Sequence, residues 1–131
     1  MAYYSYFNPN PRHKNPVGDC TVRSISKALN IPWETAYIDL VSEGYELGDM
    51  PSSNSVVNSY LRKNGFRKYT LSNECPDCYN FIDFAGEHFK GTYIVCTGTH
   101  MACIKDNVLY DSWNSSDCIP IYYYQKENET W

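Results

Sequence analysis

Thr-His-Met-Ala-Cys-Ile-Lys-Asp-Asn-Val-Leu-Tyr-Asp-Ser-Trp, residues Thr99 to Trp113, is the stretch whose reading decides the fold. Two apolar runs, His100 to Lys105 and Val108 to Trp113, flank Asp106-Asn107, a pair suited to a two-residue hairpin turn. Antiparallel pairing about that turn sets residue i opposite residue 213 minus i, so His100 faces Trp113 with Asp111 diagonal to it. Side chains alternate with a period of two, which puts His100 and Asp111 on one face of the sheet. A carboxylate there accepts from one imidazole nitrogen and leaves the other to take a proton from a nucleophile.

Working outward, Gly91 to Thr97 is a further strand joined through Gly98-Thr99, and Pro120 to Lys126 is another, so three consecutive strands are expected to form an antiparallel meander. Tyr122, Tyr123 and Tyr124 alternate faces on the last strand, one side expected on the core and the other on an exposed edge. Upstream the period changes. Val22, Ile25, Ala28 and Leu29 fall at helical spacing behind Asp19, the expected N-cap. Pro32 opens a second helix with Trp33, Ala36, Tyr37, Leu40 and Val41 on one face and Gly44 as its end. Ser52-Ser53-Asn54 caps a third, with Val56, Val57, Tyr60 and Leu61 inward and Gly65 after it. Phe66 to Leu71 is a short strand, and Asp77 to Phe89 holds a fourth helix with Phe81, Ile82, Phe84 and Ala85 inward. Helices followed by strands specify α+β rather than alternating α/β. The aromatic N-terminus (Tyr3, Tyr4, Tyr6, Phe7) reads as an extended arm against the body, and Glu127 to Trp131 as a frayed end.

With 131 residues, 43% of them hydrophobic, the chain fits one domain, 1–131. A net charge of -4 argues against a nucleic-acid partner, and no apolar run approaches the roughly 20 residues that span a bilayer. Met1 to Asn10 has no charged-then-apolar signal pattern, so a cytoplasmic location is expected. Six cysteines are then unusual. Cys96 and Cys103 lie in apolar strands and read as core; Cys118 reads as a loop thiol. Cys75 and Cys78 have zinc or redox spacing, but no second pair completes a tetrahedral site, so the expectation is a turn with two thiols and no metal or cofactor. His13 reads as solvated, and His88 as the C-terminus of the fourth helix.

Cys20 stands apart because it opens the first helix, where unpaired N–H groups and the helix dipole favour thiolate. A helix-start cysteine early in the chain and a His/Asp strand pair late in it make a nucleophile, a base and an orienter. Gly18-Asp19-Cys20, Gly98-Thr99-His100 and Tyr110-Asp111-Ser112-Trp113 together resemble the papain-like cysteine peptidase superfamily. The last segment is similar to the Asn-Ser-Trp of papain-type enzymes, with Asp111 in the orienting position and Trp113 shielding the contact at the substrate site. The resemblance implies a papain-like α+β fold, N-terminal helices packed on a C-terminal antiparallel sheet, and a thiol hydrolase acting on a peptide or protein substrate. In size the chain is closer to the minimal bacterial and phage members, such as cell-wall and leader-peptide peptidases, than to papain itself. It departs from papain in lacking the Cys-Gly-Ser-Cys-Trp motif and in carrying Lys14 where a Gln donates to the oxyanion. Asn15 either supplies that amide beside the Cys20 N–H or shapes the turn before Pro16. Three alternatives stay open: acyltransferase or transglutaminase chemistry on the same triad, a silent module binding a protein partner through its tyrosines, and a zinc domain using Cys75 and Cys78.

Overall fold

The computed structural model describes residues 2–12, 18–71 and 79–127. His13, Asn15, Cys75, Cys78 and all but the first residue of the expected frayed end lie outside the described residues. In chain order the elements are β1 (Tyr3–Tyr6), α1 (Cys20–Leu29), α2 (Trp33–Leu47), α3 (Asn54–Lys63), β2 (Phe66–Thr70), α4 (Phe81–Glu87), β3 (Thr92–Cys96), β4 (Met101–Lys105), β5 (Val108–Asp111) and β6 (Tyr122–Lys126). The described residues thus make a mixed α+β fold of four helices and one six-stranded sheet.

The Asp106-Asn107 turn takes φ values of 48° and 75°, the positive pair that a hairpin with right-handed strand twist demands. Its register is Lys105 to Val108, Ile104 to Leu109 and Cys103 to Tyr110, each pair summing to 213 as the sequence requires. Strand order is β1-β5-β4-β3-β6-β2, so the expected meander β3-β4-β5 forms the centre.

Two expectations about the sheet are corrected. It is not wholly C-terminal or antiparallel: the N-terminal arm is a strand, β1, pairing parallel to β5, and β2 joins the far edge. Lys27 holds that arm to α1, its Nζ 5.3 Å from the Phe7 ring centroid and 4.0 Å from that of Tyr110. Nor is β6 an edge. It lies between β3 and β2, so its tyrosines cover a core on both faces: Tyr124 and Tyr122 toward α1–α3, Tyr123 toward α4.

Alternation along β3 and β4 separates the two cores. Ile94, Cys96, Met101 and Cys103 face α1, α2 and α3, whereas Tyr93, Val95, Ala102 and Ile104 face α4. Cys96 and Cys103 are fully buried fillers, as expected. Helix α3 begins as its sequence specifies, with the Val56 N–H donating to the Ser53 hydroxyl. Helix α2 runs past Gly44 to Gly48, which takes the left-handed conformation (φ 70°). Gly44 is there for proximity instead: a Cβ would meet the Asp49 carbonyl oxygen at 2.7 Å. The buried face of α2 is Ala36, Leu40, Glu43 and Gly44, with Tyr37 and Val41 turned outward. Glu43 is tolerated inside because Ser59 and Lys63 both donate to it. No helix among the described residues is long and apolar enough to cross a membrane.

Candidate active site

Cys20 is the first residue of α1, so its N–H and those of Thr21 and Val22 have no acceptor within the helix. Opposite it, residues 97–100 form a tight turn into β4. The Thr97 hydroxyl accepts from the N–H groups of Thr99 (3.0 Å) and His100 (2.9 Å), and the Thr97 N–H donates to the His100 carbonyl (2.8 Å). This fixes the backbone from which the imidazole projects.

His100 Nε2 donates to Asp111 Oδ2 at 2.7 Å. The other ring nitrogen, Nδ1, is thereby left for Cys20, which lines the same cleft and whose interaction with His100 shifts both groups. The Met101 N–H acts on the Cys20 sulfur in the same direction, lowering its pKa. The structure therefore brings Cys20, His100 and Asp111 together in the order thiol, imidazole, carboxylate. Trp113 covers the imidazole, ring centroids 4.9 Å apart, while remaining 47% exposed. Phe81 stacks on His100 at 6.5 Å. Cys20, Thr21, Ser52, Asn54, Tyr122 and residues 97–101 line a cleft of about 140 Å³ at this junction.

The sequence expectation for Asp19 is half right. It occupies the N-cap position, but its side chain makes no cap bond. Its carboxylate instead accepts from Arg23 NH1 (2.5 Å) and from Trp33 Nε1 (3.0 Å). Arg23, one turn behind Cys20 and only 4% exposed, donates through Nε (3.2 Å) and NH2 (2.9 Å) to Asp111 Oδ1. Ser115 Oγ donates to Asp111 Oδ2 at 2.6 Å, and the Ser112 N–H to Oδ1 at 2.8 Å. Asp111 has no exposed surface, and these donors are what keep an ionised carboxylate tolerable there. Sequence reasoning missed both Arg23 and Ser115. The apolar spacing gave no signal for Arg23, which lies on a different side of α1 from Ile25 and Ala28 and is nevertheless buried with them.

The electrostatics follow from this chain of alternating charge. Burial alone pushes the Cys20 thiol up, but hydrogen bonds from His100 and the Met101 N–H, with the charges of His100 and Arg23, outweigh it and leave the thiol below its ordinary value. For His100, burial acts downward, and the bonds to Asp111 and Cys20 with their negative charges lift it to about 9. Asp111, pushed up by burial, is brought below the usual carboxylate value by His100, Ser115 and Arg23. The three shifts together act in the direction of a thiolate–imidazolium pair. Two of the other described thiols differ: burial drives Cys96 and Cys118 upward.

Among the described residues, no three His, Cys, Asp or Glu side chains are grouped so as to hold a metal ion. His88 sits at the C-terminus of α4 as expected, its Nδ1 2.7 Å from the Phe84 carbonyl oxygen. No family model, curated protein or solved structure matches the chain.

Proposed function

We propose that this protein is a cysteine hydrolase of papain-like type, acting on amide bonds of a peptide or protein substrate. The observation that carries the reading is the placement of one imidazole between Cys20 at a helix N-terminus and a fully buried Asp111. The layout supports it as well: helices carrying the nucleophile pack on a sheet carrying base and orienter, in that chain order.

The Cys20 thiolate attacks the carbonyl carbon, and the C=O electron pair moves to oxygen, where the Cys20 N–H stabilises it. The imidazolium of His100 gives its proton to the departing amine, leaving a thioester on Cys20. Neutral His100 then takes a proton from water, hydroxide adds to the thioester, and the thiolate leaves as the carboxylic acid is released. Asp111 holds the ring with Nε2 protonated throughout, and Trp113 keeps water from that bond.

Acyl-enzyme trapping tests the reading. A peptidyl p-nitrophenyl ester should place an acyl group on Cys20, detected by mass, and His100→Ala should slow its formation roughly 10²–10⁴-fold. An unmodified Cys20 with intact folding would transfer support to a silent protein-binding module.

A further inference from the structure

The sheet ends at β2, which pairs with β6 on one side and with no other described strand. Phe66 lies opposite Lys126 and Thr70 opposite Tyr122. One step beyond each end, the Glu127 N–H donates to the Gly65 carbonyl (2.8 Å) and the Leu71 N–H to the Ile121 carbonyl (3.0 Å). Bonded residues alternate along an antiparallel pair, so Arg67 and Tyr69 also bond inward, and Phe66, Lys68 and Thr70 turn their N–H and C=O groups to the free edge. An extended chain arriving there can continue the ladder.

The charge beside this edge is opposite in sign to that of the whole chain, which carries -4. Five of its eleven Lys and Arg residues, Arg62, Lys63, Arg67, Lys68 and Lys126, fall at the end of α3 or on β2 and β6. Arg62, Arg67 and Lys68, with Asn58, Phe66 and Tyr124, line a hollow of about 280 Å³ between α3 and β2. Lys63 is held by Glu43, and Lys126 donates to the Asn64 carbonyl. Arg62 and Lys68, by contrast, form no ion pair among the described residues, and Arg67 meets only Glu127, at 3.9 Å between exposed side chains. Lys68 lies opposite Tyr124, so its side chain shares the face of β2 that looks toward α3.

These two features together select the partner. A second copy pairing edge to edge would set Arg67 and Lys68 against like charges, which is how lysines on an edge strand guard against self-association. The same cations attract a strand that carries carboxylates. We propose that the β2 edge and the hollow beside it form a docking site for an extended, acidic segment of a partner polypeptide, which adds to the sheet with Asp or Glu at alternate positions over Arg62 and Lys68. Alternation is required because every second side chain of the added strand shares the face of Lys68. None of the residues lining the hollow lines the Cys20 cleft, and the site stands independently of the cysteine-hydrolase reading.

Fluorescence anisotropy with the full chain tests this, using a fluorescein-labelled decapeptide of alternating Glu and Val. Three probes are compared with it: the peptide with Lys for each Glu, the peptide with Pro for each Val, and a labelled deoxythymidine decamer. The Glu-Val peptide should bind roughly tenfold or more tightly than any of the three, and its affinity should fall as salt rises from about 0.05 to 0.3 M. Arg62→Gln combined with Lys68→Gln should weaken it roughly tenfold. Thr70→Pro, which removes an outward N–H and no bond to β6, should weaken it at unchanged charge. Circular dichroism of each variant shows that the fold is kept, and either variant that folds decides the location. No binding up to about 1 mM, or full affinity in both variants, would overturn the site. Equal binding of the Pro peptide would overturn the strand pairing, and equal binding of the DNA decamer would overturn the assignment to a polypeptide.

Discussion

Replacing Arg23 by Met should be the most costly single change outside the hydrophobic core. Arg23 gives three N–H donations to two carboxylates, Asp19 and Asp111, whose side chains are 8% and 0% exposed. Met fills similar volume but leaves Asp111 ionised in the interior with one of its two cationic partners gone. Removing one partner of a buried ion pair costs about 3–5 kcal/mol, against a total stability of about 5–15 kcal/mol for a domain. With an unfolding entropy of about 2.1 cal/mol/K per residue over 131 residues, that loss lowers Tm by roughly 11–18 °C. Urea unfolding followed by tryptophan fluorescence measures it, since Trp33 bonds Asp19 and Trp113 covers His100. The double variant Arg23→Met with Asp111→Asn should recover at least about 1.5 kcal/mol, because a neutral amide needs no buried counter-charge. If the two single costs simply add to within about 0.5 kcal/mol, Arg23 and Asp111 are not coupled and the charge chain described here is wrong.

Four further outcomes follow from the same geometry. His100 titrates at about 9 when folded, above its ordinary value of 6.5, so the stability it contributes is complete below pH 6.5 and fades as pH rises through about 9; His100→Gln should flatten that decline in a Tm-versus-pH series. Asp111 is shifted the other way, so its contribution is present above the ordinary carboxylate value and disappears as the pH falls through its lowered one, a decline that Asp111→Asn should abolish. In acyl transfer, the alkaline limb of kcat should fall near 9 as His100 loses the proton needed by the leaving group, whereas alkylation of Cys20 should stay fast there; parallel loss of both would contradict the assigned roles. Asn107→Gly should raise stability by about 0.5–1 kcal/mol in urea titration, because it relieves a φ of 75° and removes a buried side-chain oxygen that has no hydrogen-bond partner among the described residues.

What could be read from the chain was set by local periodicity. The hairpin register needed only Asp106-Asn107 and a period of two, and with it came the His100–Asp111 contact across 11 positions. Helix α3 was equally legible from Ser53 and its apolar spacing. What failed was non-local. Nothing in Tyr122-Tyr123-Tyr124 says that β2, more than fifty residues earlier, pairs with β6 and turns an expected edge into the interior. Gly44 looked like a helix stop, yet its role comes from the Asp49–Pro51 backbone folding against it. Asp19 looked like a cap and nothing singled out Arg23, because Asp19 is drawn off by Arg23 and by Trp33 of α2, and Arg23 meets Asp111 only when α1 docks on β5. Charges on a helix are read as outward by default, and this is the case in which a buried acidic partner reverses that default.

The most direct test of the central claim is the pH dependence of Cys20 alkylation, resolved by residue with isotope-coded iodoacetamide. The account predicts that Cys20 alone reacts rapidly at about pH 6, and that Asp111→Asn or Arg23→Met moves its half-maximal rate to higher pH. A Cys20 that remains inert until the pH approaches that of an ordinary free thiol, about 8.5, would contradict the ion pair and with it the proposed chemistry.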